Sequence, residues 1–142
     1  MVTFTAFNEG KVELAKGNIN FATDTIKVAL LESAYTPDID TQSNFSDISA
    51  NESSGTNYTA GGNTVANITV TKDNANDRAV IGGDNVTFTD VSISYQYMVL
   101  YKDTGTASTS TLIGYADRGS SITISADDVQ VNFDAVGIGV LN

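Results

Sequence analysis

The sequence predicts an all-β fold: an antiparallel β-sandwich or jelly-roll-like barrel with one short N-terminal helix. Three observations predict it. Roughly eight or nine short alternating segments recur at about ten-residue spacing between clusters of Gly, Asn, Asp and Ser. The longest begins at Val91 and places Val91, Ile93, Tyr95, Tyr97, Val99 and Tyr101 on one face, with Ser92, Ser94, Gln96, Met98, Leu100 and Lys102 on the other. Only one stretch has helical spacing, and no strand–helix–strand alternation is present. The 142 residues, 41% of them hydrophobic, fit a single β domain spanning 1–142. A domain of this size buries roughly two-thirds of its unfolded surface.

The helix is expected over about 6–16. Phe7, Lys11, Leu14 and Ala15 share a face that Phe4 can join. Glu9 and Glu13 stand early and Lys16 late, which suits the helix dipole. Gly17 is placed to cap the C-terminus and Asn18 to extend the turn. Gly10 weakens the helix by roughly 1 kcal/mol relative to Ala. Such a helix covers one end or edge of a sheet.

Thr25 to Glu32 reads as the first buried strand, almost continuously apolar from Val28, so both of its faces are expected to be covered. Pro37, the only proline, opens a long polar loop over about 37–63. Phe45 and Ile48, three residues apart, predict a short helical turn that pins it. Thr64 to Thr71 alternates, with Ala66, Ile68 and Val70 on one face. Asp73 to Asp77 is a turn, and Arg78 to Ile81 a short strand ended by Gly82 and Gly83. Asn85 to Thr89 precedes the long strand. The polar turn Asp103 to Ser110 leads to strands at Thr111 to Ala116, Ser121 to Ser125 and Val129 to Phe133. Val136 to Leu141 closes the chain, with Gly137 and Gly139 facing one way and Val136, Ile138 and Val140 the other. Its glycines suggest a close backbone approach by the helix or by a neighbouring subunit.

The chemistry of the chain is quiet. With 17 acidic and 7 basic side chains the formal charge is -10, which repels phosphate backbones and anionic lipid, so neither nucleic acid nor membrane is an expected partner. The segment MVTFTAFNEGKVELAKG lacks the basic and apolar regions of a signal peptide, and Val28 to Leu31 is too short an apolar run to span a bilayer. There is no Cys and no His, so disulfides and Ser-His-Asp or Cys-His constellations are impossible, and a zinc site has lost its usual ligands. Asp73, Asp77, Asp84, Asp103, Asp127 and Asp128 sit in turn contexts that Asp favours for local capping. Asp38, Asp40 and Asp47 cluster, but the EF-hand glycine and its late Glu are missing. The pairs Gly61–Gly62 and Gly82–Gly83 lack the context of a phosphate loop. The N-x-S/T triplets at Asn44, Asn51, Asn57, Asn67 and Asn85 fit an Asn/Thr-rich β composition. Tyr95, Tyr97 and Tyr101 read as core or subunit interface rather than a stacking platform. These residues argue against most enzymes, with no catalytic, cofactor-binding or metal residue nominated and no cofactor expected.

Four segments, TIKVALLESAYTPD, SANESSGTNYTAGGNTV, DRAVIGGDNVTFTD and YMVLYKDTGTASTSTLIGYAD, resemble in that order a family of small virion proteins of tailed bacteriophages. The resemblance covers nearly the whole chain. Two departures are visible: Phe88 stands where Trp is common, and Arg118–Ser121 is short where related chains carry a longer loop. The resemblance implies a structural component of the phage particle, first of all a capsid decoration (cement) protein on the outer surface of the head, made in the host cytoplasm. Its partners would be the major capsid protein and copies of itself, as a dimer or trimer. The alternative is a tail or fibre component involved in host or glycan recognition, with a site built from loops that include Asp103 to Ser110. A free carbohydrate-binding module or hydrolase would need a carboxylate pair in an aromatic-lined cleft. In the capsid reading the expected contact is the 37–63 loop, with Val2 to Phe7 second, and deleting residues 40–56 should abolish binding while leaving the fold.

Overall fold

A computed structural model describes residues 2–133 and 139–141. The chain forms β1 (Thr5–Ala6), α1 (Asn8–Ala15), β2 (Thr25–Leu31), β3 (Asn63–Thr64), β4 (Thr69–Asp73), β5 (Arg78–Gly82), β6 (Val86–Asp103), β7 (Leu112–Val131) and β8 (Gly139–Leu141). All strand pairs in both sheets are antiparallel. The larger sheet has the order β1-β7-β6-β2-β3 and the smaller β4-β5-β8. This is the all-β fold with one short helix that the sequence predicts. Among the described residues the strand order of the larger sheet runs from β1 to β3, and Val2, just before β1, bridges Phe133, just past β7. The smaller sheet contributes Ile81 to the main core, while Val70 on β4 is 54% exposed.

The strands are divided differently from what the alternation suggests, two of them much longer. Asn85–Thr89 and the segment from Val91 belong to one 18-residue strand, β6. Three predicted strands, at 111–116, 121–125 and 129–133, lie along the single 20-residue β7 and its flanks. The apparent turn residues between them are bulges. Asp90, Gly119 and Ala126 take positive φ (51°, 83° and 49°), and the β6–β7 register shifts beside each without the pairing ending. Arg118–Ser121 is accordingly part of a strand and not a loop tip. The reverse holds for Thr64–Thr71: Asn67 at φ 51° breaks it into β3 and β4, its amide donating to Asp84 at 2.7 Å.

One bulge divides the predicted apolar face of β6. Tyr95 pairs with Ile122 and Tyr97 with Asp117, so Arg118–Ser121 stand opposite Gln96 alone. Beyond this point the side-chain parity changes. Val91, Ile93 and Tyr95 join Met98 and Leu100 in one core, whereas Tyr97, Val99 and Tyr101 enter another. The two cores lie on opposite faces of β2: Ile26, Val28 and Leu30 serve the first, Ala29 and Leu31 the second. The unbroken apolar run of β2 is thus explained by burial on both sides.

The second core is roofed by the long loop. Phe45 and Ile48 are buried, and a 3-10 turn over Phe45–Asp47 carries a reciprocal capping box between Asn44 and Asp47. The predicted pinning turn is present. Further ties are bridges at Leu31↔Glu52, Asn44↔Thr111 and Thr56↔Ser92, and a bond from the buried Ser53 Oγ to the Ser94 carbonyl at 2.8 Å. The expectation that residues 40–56 could be removed without loss of the fold is therefore corrected: the deletion would strip Phe45 and Ile48 from the core.

The helix also differs in its packing. Phe7 is fully buried and Gly10 is buried, but Lys11 and Ala15 of the predicted face are exposed. At its end, Asn18 N–H bonds the Glu13 carbonyl (2.9 Å) and Gly17 N–H that of Leu14 (3.1 Å), a Schellman cap with Gly17 at φ 80°. In the last predicted strand, residues 136–138 and the glycine face lie outside the described residues; β8 pairs with β5.

Candidate functional site

The polar turn after β6 and the end of the long loop face each other across a cleft of about 360 Å³. Phe45 and Tyr101 stand beside it, stacked with ring centroids 4.3 Å apart. Both rings are buried (7% and 2% exposed), so they brace the cleft without offering it an open aromatic face. Lys27, from the partly exposed position of β2, forms an ion pair with Asp103 at 2.7 Å. Asp103 also accepts the Gly105 N–H at 2.9 Å, which closes the turn. The Lys27 hydrogen bond, with burial opposing it, holds the Asp103 carboxyl below the usual carboxylate range.

Glu52 lines the same cleft. One of its oxygens accepts the Tyr58 hydroxyl at 2.8 Å and the Gly61 N–H at 2.6 Å. Burial pushes its carboxyl above the usual range, against those two bonds and the nearby Lys27. Tyr58 in turn accepts the Leu30 N–H at 3.0 Å, and Tyr101 donates to the Gly61 carbonyl at 2.6 Å. Burial raises both phenols, for Tyr58 with a further push from Glu52, so both remain protonated hydrogen-bond donors. Gly61 and Gly62 are the hinge of this network, at φ 89° and 71°. A side chain at Gly62 would run into the Val28 carbonyl. The glycine pair is thus explained by close backbone approach to β2 and not by phosphate binding.

The other residues singled out in the sequence do not converge. Asp38 caps its own turn through the Asp40 and Thr41 N–H groups, Asp40 accepts the Asn8 amide, and Asp47 accepts the Ser43 and Asn44 N–H groups. No group of three carboxylates suited to a metal ion occurs among the described residues. Asp73 is held by Asn76 and Arg78, Asp84 by Asn67, and Asp128 accepts the Asp90 N–H across the hairpin. Tyr95, Tyr97 and Tyr101 are buried, but in two different cores. Glu52 escaped sequence reasoning because its partners stand six and nine residues away in a polar loop without periodicity. The Glu52 and Asp103 carboxylates and the Lys27 ammonium line the cleft, each already bonded within the protein, so Lys27 is no free base.

No family model, characterised protein or solved structure matches the chain.

Proposed function

We propose that the protein is a non-enzymatic structural component of a tailed-phage particle, bound as a decoration protein on the outside of the head shell. The observation that carries this reading is the ordered resemblance of four segments, which together span nearly the whole chain. The fold is compatible with it: two cores on one spine and a roof of docked loop make a stiff body with an acidic surface. Such a protein stabilises a shell by binding only the assembled lattice. Occupancy at one hundred times Kd adds about 2.7 kcal/mol per site. Antibody labelling of intact particles tests the reading. Dense label over the head, at a copy number comparable with that of the shell protein, is expected; label confined to the tail overturns it.

The cleft supports a second reading, recognition of a host glycan by a tail or fibre component. One wall of the cleft is the Asp103–Ser110 turn, and Glu52 and Lys27 supply hydrogen-bonding groups to it. Tail-only label together with binding on a glycan array would favour this reading over the first.

A further inference from the structure

Among the described residues four ion pairs occur, and one of them has the parts of a condensation site. Lys27 and Asp103 come from neighbouring strands. Lys27 pairs with Tyr101 across the β2–β6 ladder and Thr25 with Asp103, so the two side chains stand diagonally on one face. Lys27 Nζ lies 2.7 Å from Asp103 Oδ2, and the side chains are only 26% and 20% exposed. The Gly105 N–H holds the carboxylate in place at 2.9 Å. The stacked rings of Phe45 and Tyr101 line the same cleft, and so does a second carboxyl, Glu52. Glu52 accepts the Gly61 N–H, and a Cβ at Gly61 would stand 4.0 Å from Lys27 Nζ. One Glu52 oxygen takes both of its bonds, and the other has no partner among the described residues.

We propose that Lys27 and Asp103 condense into an intramolecular isopeptide bond, with Glu52 as the proton relay. In the ion pair the amine carries a proton that must move first. Its transfer from Nζ to Oδ2 leaves a neutral amine beside a neutral carboxyl. The Nζ lone pair then attacks Asp103 Cγ. A C–N bond forms, a C–O bond breaks and one water leaves. Ammonium and carboxylate become an amide, with no change in net charge and no oxidant or reductant. Glu52 gives a proton to the departing hydroxyl and recovers one from the nitrogen, through one water. Burial holds the Glu52 carboxyl above the usual range, so more of it stays protonated near neutral pH than of an ordinary carboxyl. Well-oriented groups react at effective molarities of about 10⁵–10⁸ M, which offsets the unfavourable equilibrium of amide formation in water. The Lys102–Asp24 pair, at 3.0 Å and comparably covered, lacks such a relay: its neighbouring carboxyl, Glu13, is held ionised by Lys16 and Asn18. The freshly folded chain holds the Lys27–Asp103 ion pair, and the amide accumulates on standing. It fastens β2 covalently to the turn that walls the cleft.

The bond is independent of any role in a particle, and intact-mass spectrometry of the isolated folded chain tests it. Over one week at physiological temperature a species lighter by one water should accumulate, and tandem spectra should place the link between Lys27 and Asp103. Protein held in urea should not form it, because only the fold brings the two groups together. Lys27→Arg keeps a cation but removes the amine nucleophile, and Asp103→Ala removes the carboxyl that it attacks, so both should abolish the loss. Asp103→Asn should lose ammonia in place of water. Glu52→Gln should slow the loss by at least about tenfold, whereas Lys102→Arg should leave its rate unchanged. Circular dichroism checks that each variant is folded. A folded wild-type chain still at full mass after that week would overturn the proposal. So would a water loss that survives Lys27→Arg, the mark of a succinimide at an aspartate, and an unchanged rate in Glu52→Gln would remove the relay.

Discussion

Replacing Gly10 by Ala sets two effects of known sign against each other. In an isolated helix the change should stabilise by about 1 kcal/mol, because Ala loses less backbone entropy. In this protein a Cβ at Gly10 would lie 2.6 Å from the Leu112 carbonyl oxygen, 2.9 Å from the Ile113 Cα and 3.1 Å from the Ile113 oxygen. All three are backbone atoms of β7, which is fixed on its other side by β6. The helix must therefore retreat by several tenths of an ångström. Phe7, fully buried and bonded through its N–H to the Ile113 carbonyl at 3.0 Å, retreats with it. Overpacking of this kind costs about 1–3 kcal/mol. Three simultaneous backbone contacts place Gly10 at the upper end, so the net loss is about 1–2 kcal/mol, a fall in Tm of roughly 3–6 °C. Thermal and urea unfolding followed by circular dichroism measure it. Gly17→Ala is the control, since nothing lies within 4 Å of its Cβ and only the φ of 80° is strained. An equal or higher Tm for Gly10→Ala would refute the close helix–strand approach.

Two further predictions concern the loop and the cleft. Phe45→Ala should cost about 3–5 kcal/mol, since it empties a buried site stacked on Tyr101; a urea midpoint within error of the parent would mean that the loop does not roof the core. Glu52→Gln keeps acceptors for Tyr58 and Gly61 but removes the buried charge, so it should raise Tm near neutral pH, whereas Glu52→Ala should lower it by leaving two donors unpaired at about 1–3 kcal/mol each. The sign of the pH dependence follows from the raised Glu52 carboxyl: its favourable contribution is present below the ordinary carboxylate range and lost as pH rises through the elevated native value. Asp103, held low by Lys27, behaves oppositely, contributing above the ordinary range and losing its contribution as pH falls through its depressed value. The Tm advantage of Glu52→Gln should therefore shrink between about pH 7 and pH 4; a constant difference would count against a raised Glu52.

What could be read from the sequence was whatever depends on local alternation. β2, β5, the Phe45–Ile48 turn and the Gly17 cap were each legible because burial or capping leaves a mark within a few residues. The bulges were not. Asp90, Gly119 and Ala126 carry the residue types or neighbours of turns, and only cross-strand pairing decides whether a left-handed residue ends a strand or is absorbed by it. The same limit concealed the parity change at Gln96, so six alternating residues looked like one face although they feed two cores. The cleft was half legible. The Asp103–Ser110 turn announced itself, whereas Glu52 gains its meaning from Tyr58, Gly61 and Lys27, which tertiary structure alone brings to it. Gly10 was misread for a related reason: propensity counts what glycine costs a helix, and says nothing of the strand that glycine lets come near.

The bulges also decide which surfaces remain for binding. Along its second half β6 lies between β7 and β2, and along its first half Ser92 is bridged to Thr56 while the Asn63 amide bonds the Thr87 carbonyl. The loop is thus committed to the edge of β6 as well as to the second core, which leaves its outward side chains, but not its backbone, for a partner. β7 is in the opposite condition: its backbone edge is open beyond Tyr115 among the described residues, while its side chains on one face are already engaged with the core. Main-chain groups are thus exposed along the β7 edge, whereas the loop and the cleft present side chains. The hairpin at 91–117 that first fixes the fold class therefore carries the framework for both surfaces.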